Sequence, residues 1–219
     1  MLRPLLFSAL VLWTLVACGT ASGTPVTLHM AAAANDRRSI TTLLSQGADI
    51  EARDRSGATP LLVATRRNNV AAALALIAAG ADVNAKDVTS DSAYLYAGAR
   101  GYLQILEATL AHGADLGSVN RFGGTALIPA AERGHVETVR RLIAAGVDVD
   151  HVNRLGWTAL LEAVLLGDGG VAHQQIVQAL LEAGADPNLA DAEGVTALHH
   201  AERRGQTEVA ALLKARGAR

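Results

Sequence analysis

The sequence predicts an all-α repeat solenoid of about six helix pairs, and three observations carry that prediction. Gly47, Gly80, Gly113, Gly146, Gly184 and Gly217 each close a helical run, at intervals of 33, 33, 33, 38 and 33 residues. Ala or Val follows every one of them, and Asp comes next in the first five copies. A second series runs in phase: Thr59-Pro60-Leu61, Thr125-Ala126-Leu127, Thr158-Ala159-Leu160 and Thr196-Ala197-Leu198. The third observation is compositional. The 219 residues are 50% hydrophobic but only 3% aromatic, because Ala and Leu supply most of the apolar count. Strands of a sandwich or barrel want β-branched and aromatic side chains, so those classes are excluded. A fixed period of this length means stacked units, none able to bury its apolar face alone.

The chain opens with a short positive start, Met1-Leu2-Arg3, and a largely apolar run from Leu5 to Val16. A bilayer-spanning helix takes roughly 20 residues, so residues 1–17 read as a signal peptide outside the fold. Leu15-Val16-Ala17-Cys18 resembles the bacterial lipobox, whose cysteine receives diacylglycerol before cleavage, and Cys18 is the chain's only cysteine. The resemblance implies a lipid anchor at Cys18 with residues 18–20 as a short tether. By the same resemblance, Gly19 in place of Asp favours the outer membrane. Several acyl chains make attachment stable where one would be marginal. The alternative is cleavage after Ala21 or Gly23, which would release a soluble periplasmic protein.

The repeats occupy 21–53, 54–86, 87–119, 120–152, 153–190 and 191–219. Asp54, Asp87, Asn120, Asn153 and Asp191 open tight turns, where short polar side chains bond nearby backbone. Gly57, Gly123, Gly156 and Gly194 supply the turns' left-handed dihedrals. Thr59, Thr125, Thr158 and Thr196 are expected to cap the first helix of each pair. Leu43-Leu44, Leu142-Ile143, Leu180-Leu181 and Leu212-Leu213 fill the interior, and the six glycines end the second helices. This pattern resembles the ankyrin repeat, with its period of 33 and T-P-L-H core, over residues 21–219. The resemblance implies helix-turn-helix units with β-turn or hairpin tips and a concave binding surface. Repeats 1 and 6 depart from the pattern as caps would. Repeat 3 substitutes Ser90-Asp91-Ser92-Ala93-Tyr94, and repeat 5 carries five extra residues around Leu166-Gly167-Asp168-Gly169-Gly170.

Chemistry is sparse. A formal charge of −2 and a pI near 6.4 remove bulk-charge binding of nucleic acid. One cysteine excludes a disulfide framework and a multi-thiolate metal site. His29 and His199 take the T-P-L-H position, and His135 lies in an interhelical turn, all three as structural residues. His199 and His200 are sequential and diverge on a helix, so they form no metal pair. The glycine stretch at 167–170 lacks the Lys-Ser/Thr of a P-loop and the spaced acids of a calcium loop, so it reads as a flexible insertion. No catalytic constellation is signposted. The expectation is a non-enzyme with no cofactor, no metal and no small-molecule substrate.

Two features could carry binding to another protein. By the resemblance, contacts come from the tips and from the end of each first helix. The latter position holds Ala34, Arg67, Arg100, Arg133, Leu166 and Arg204, and tips add Arg55, Arg121 and Arg154. Stacking would align these into a basic stripe suited to an acidic partner surface; solvated arginines flanked by Glu132 and Glu202 are the alternative. Beyond the signal segment, the aromatics are Tyr94, Tyr96, Tyr102, Phe122 and Trp157, all in repeats 3 to 5. Tyr94 replaces a core leucine and should be packed, whereas Phe122 and Trp157 fall at tips. Interfaces concentrate Tyr, Trp and Arg at their energetic centres. The expected function is therefore an exported, lipid-anchored scaffold for protein binding in the bacterial envelope. The alternatives are an immunity or inhibitor protein against a toxic enzyme, and a helper of an envelope enzyme, for example in oxidative-stress defence.

Overall fold

The computed structural model describes residues 26–219, so the signal peptide, the lipobox with Cys18 and the tether lie outside the described residues. Among the described residues, twelve helices follow one another in six pairs. The inner helices are α1 (Leu28–Ala33), α3 (Pro60–Arg66), α5 (Ala93–Arg100), α7 (Leu127–Glu132), α9 (Ala159–Leu165) and α11 (Ala197–Arg203). The outer helices are α2 (Arg37–Ser45), α4 (Val70–Ala78), α6 (Leu103–Ala111), α8 (Val136–Ala145), α10 (Val171–Glu182) and α12 (Thr207–Ala215). Each inner helix packs on the next inner helix and each outer on the next outer, giving the two-layered solenoid that the period requires. No described helix is long and apolar enough to cross a membrane.

One apolar core runs through the stack between the layers. Leu76, Leu142, Leu180 and Leu213 recur at one outer-helix register and are fully buried. In repeat 3 that register holds Thr109, also fully buried, which settles its hydroxyl by donating to the Leu106 carbonyl at 2.7 Å. Leu43 and Leu44 are only half-buried, at one end of the described stack. Small residues bring neighbouring repeats close. A Cβ on Gly98 of α5 would stand 2.7 Å from the Ala126 Cβ, so repeats 3 and 4 could not approach this closely with alanine there.

The tips follow from their first residue. Oδ1 of each of Asp54, Asp87, Asn120, Asn153 and Asp191 accepts from the backbone N–H two and four residues on. Repeat 3 lacks the turn glycine and puts Ser90 into the left-handed region instead, at φ 63°. The tips are turns rather than hairpins: the one β-bridge among the described residues joins Ala190 and Thr196.

Capping departs from expectation in one repeat. The hydroxyls of Thr59, Ser92 and Thr158 accept from the N–H three residues on at 3.2 Å, and Thr196 does so at 3.5 Å. Thr125 does not cap α7, whose N-cap is Ala126, and its buried hydroxyl has no partner. Pro129 alters the backbone bonding of the same turn. Val63 and Glu162 donate their N–H to the carbonyls of Thr59 and Thr158. Proline at the equivalent place has no N–H to give, so the Thr125 carbonyl lacks that bond, although Ala126 is already helical at φ −59° and ψ −25°.

The insertion in repeat 5 is held, contrary to the expected flexibility. Its residues are shared between the loop 166–170 and a lengthened α10 of 12 residues, against 9 in α4. Asp168 Oδ1 accepts from the Gly170 N–H, Gln174 donates to the Gly169 carbonyl, and Arg204 and Gln206 donate to the Gly167 carbonyl. His173 is clamped between Asp168 and the Glu132 carbonyl of the preceding repeat.

Candidate protein-binding cleft

The concave side carries a cleft of about 330 Å³ spanning repeats 3 to 5. Three inner helices and three tips build it, the tip of repeat 3 contributing Asp91. From α5 come Leu95, Tyr96 and Arg100, and the tip of repeat 4 adds Asn120 to Phe122 and Gly124. From α7 come Ile128, Pro129, Glu132 and Arg133. The tip of repeat 5 adds Asn153, Leu155 and Trp157, and α9 closes the far side with Glu162 and Leu166. Phe122, Leu155 and Leu166 are each at least half exposed, so the cleft has an apolar mouth open to solvent.

Its polar groups are of two kinds. The arginines are braced on neighbouring groups. Arg100 lies over the Tyr96 ring, 5.5 Å from its centroid, and donates from Nε to the Tyr96 hydroxyl at 3.3 Å. Arg121 lies over Phe122 at 4.8 Å. Arg133 donates through Nη1 to the Ala99 carbonyl at 2.7 Å, with Nη2 3.8 Å from Glu132. Such stacking fixes a guanidinium while leaving donors free for a carboxylate.

The second kind is a buried acid. Glu162 is 6% exposed, and its Oε1 accepts from the Asn153 side-chain amide at 2.8 Å. Burial and the charge of Glu132 push its carboxyl up to about 7, against smaller lowering contributions from Asn153 and Arg133. Among the described residues, no Lys, Arg or His lies within ion-pair distance of it.

The expected site residues are thus divided. Arg100, Arg121, Phe122, Arg133 and Trp157 meet in the cleft. Arg55, Arg67, Arg154 and Arg204 do not line it. Arg154 donates to the Arg121 carbonyl at 3.0 Å and Arg204 to the Gly167 carbonyl at 3.1 Å, so both tie repeats together. The arginines therefore do not form one free stripe, because backbone carbonyls of the preceding repeats take up Arg133, Arg154 and Arg204 and Leu166 interrupts the row. Trp157 is half-buried and packs against the core, not fully exposed at its tip. His29 bonds the Ala58 carbonyl of the next turn, whereas His199 turns back to the hydroxyl of Thr196. Tyr94 is fully buried, its hydroxyl without a partner.

Sequence reasoning missed Glu162 and Arg66. Glu162 has a legible signal: Met30, Val63, Tyr96, Pro129 and His200 hold its place in the other repeats, none of them acidic. Arg66, at the end of α3, pairs with both Asp87 and Asp91 of the next tip. That pairing depends on contacts across repeats that no local pattern announces.

This architecture, a stack of helix pairs presenting tips and inner helices on one concave face, is that of a repeat scaffold for protein–protein interaction. Family profiles described as "Ankyrin repeats (3 copies)" match residues 9–87 and 93–191, and one described as "Ankyrin repeats (many copies)" matches residues 172–213. The chain belongs to the ankyrin-repeat family. It is similar to the crystal structure of an ankyrin repeat domain from Acinetobacter baumannii AYE, at 66% identity and TM-score 0.86 over 88% of this chain and 98% of that one. The ankyrin repeat protein EF0377 is 42% identical, with TM-score 0.83, over 86% of this chain and 96% of that one. The ankyrin repeat domain of Bcl-3, a member of the IkappaB protein family, is 28% identical, with TM-score 0.77, over 89% and 87%. Ankyrin repeat protein YahD of Escherichia coli (strain K12) is 54% identical over 57 residues, which span 26% of this chain and 28% of that protein.

Proposed function

We propose that this chain is an exported, lipid-anchored scaffold of the bacterial envelope that recognises one protein partner through the cleft of repeats 3 to 5. The observation that carries the recognition is the convergence of Tyr96, Phe122 and Trp157 with Arg100, Arg121 and Arg133 on one concavity. These are the residue types that dominate interface energetics. The braced arginines at its rim suit carboxylates, which supports the acidic-partner reading. A rigid preformed surface also binds with little ordering cost. The envelope assignment is supported by the apolar run from Leu5 to Val16 and by Cys18 directly behind it.

Reversing Arg100 and Arg133 to Glu together should abolish capture of the partner by in-cell crosslinking while the outer helices stay folded, checked by thermal melting. Undiminished capture would contradict the reading. For the anchor, Cys18→Ser should move the protein from the membrane to the soluble fraction, and unchanged fractionation would refute lipidation.

A further inference from the structure

Glu162 sits where a carboxylate has no local reason to be. The other repeats fill its position with Met30, Val63, Tyr96, Pro129 and His200. Burying an acid without a cation costs several kcal/mol of order, and nothing in the stack repays it. Oε1 has the Asn153 amide, but Oε2 makes no hydrogen bond among the described residues, although the side chain lines the cleft. Glu132, from the adjacent helix, lines the same cleft and adds a second negative charge. No lining arginine forms an ion pair with Glu162, and the Arg133 charge only partly offsets the burial of its carboxyl. Arg100 and Arg121 are stacked on Tyr96 and Phe122, and the carboxylate that Arg133 approaches is Glu132. The same cleft is lined by Phe122, Leu155 and Trp157 and by a third acid, Asp91, which is paired with Arg66.

A buried carboxylate lining a cleft with aromatic and aliphatic side chains is complementary to a long side chain with a cationic head. The stem packs on the walls, the rings favour the cation through their π faces, and the head supplies the charge that Glu162 lacks. We infer that the cleft receives one lysine or arginine side chain of the bound protein, its head at Glu162 and Glu132 and its stem against Phe122, Leu155 and Trp157. This rests on the reading of the cleft as the partner-binding surface. It reverses the polarity expected at the cleft's floor while leaving the rim arginines for acidic groups that flank the inserted residue.

The test is selection of a random twelve-residue peptide library displayed on phage against the full chain, with counter-selection against a Phe122→Asp, Leu155→Asp variant. Cleft-dependent peptides should share one Lys or Arg. Its replacement by Gln, or Glu162→Gln in the protein, should each weaken binding at least tenfold, with the thermal midpoint of the Glu162→Gln variant maintained. Cleft-dependent peptides with no fixed basic residue, or equal binding by Glu162→Gln, would overturn the inference and leave the cleft as the binding surface. Failure to recover any cleft-dependent peptide would overturn both.

Discussion

In repeats 5 and 6 the same turn of the inner helix faces the tip residue nine positions earlier, at Glu162 with Asn153 and at His200 with Asp191. Repeat 6 closes the pair with opposite polarities: His200 Nε2 lies 2.6 Å from Asp191 Oδ2, which is almost fully buried. Burial alone would raise the Asp191 carboxyl, but the Val195 N–H, His200 and the Glu193 N–H outweigh it and hold it below the usual range. Repeat 5 sets a carboxylate against a neutral amide, and its carboxyl is driven the other way. In repeat 6 the tip acid is answered by the inner helix of the same repeat, through His200. In repeat 5 the acid on the inner helix meets only the Asn153 amide, and the cleft it lines is where a binding scaffold can hold specificity.

The largest effect that sharpens this contrast is in pH dependence. Glu162 has a folded value of about 7 against an ordinary 4.5, so between those values the folded chain holds a proton that the unfolded chain has released. Its contribution, at most about 3 kcal/mol, is fully present below the unfolded value and lost as pH rises through the folded one. Thermal melts should therefore show a midpoint that declines through neutrality in the wild type and stays flat in Glu162→Gln. The Asp191 contribution has the opposite sign: present above 3.8 and lost as pH falls through the depressed folded value. Asp191→Asn should remove that acid-side loss and cost about 1–2 kcal/mol at neutral pH, read by urea unfolding.

A smaller effect compares two threonines. Thr158 caps α9 and Thr125 caps nothing. Thr158→Val should lose about 1 kcal/mol, whereas Thr125→Val should lose none, since it removes a buried hydroxyl that has no partner. The smallest effect is at Tyr94, whose buried hydroxyl is also unpartnered. Tyr94→Phe should leave the thermal midpoint unchanged or raise it by a degree or two, on the order of a few tenths of a kcal/mol.

Most of the fold was legible because it is periodic. The 33-residue spacing, the Asx residue at each tip and the closing glycines each report a local backbone requirement, and local requirements survive in sequence. Gly146 illustrates this: it ends α8 at φ 93°, a conformation L side chains rarely adopt. What escaped was whatever depends on two repeats at once. Thr125 looks like its three counterparts, and only Pro129 four residues on reveals that the first turn of its helix is altered. The glycine-rich insertion looks mobile until Arg204 and Gln206, nearly forty residues away, are seen bonded to Gly167. In the cleft, register alone brought Arg100 and Arg133 to adjacent places. It could not show that Arg204 serves the backbone of its neighbour. Nothing local marks Glu162 as buried, because a single acid in a short helix ordinarily points to solvent.

The most direct test of the cleft is site-specific photocrosslinking in living cells of the native strain. A photoreactive phenylalanine analogue would replace Phe122 at the mouth of the cleft or, as a control, Leu74, which is 40% exposed on the outer helix α4. Position 122 should yield one dominant protein adduct that position 74 does not. Equal adducts from both positions, or an adduct from position 74 alone, would contradict the claim that this protein binds through the concave cleft of repeats 3 to 5.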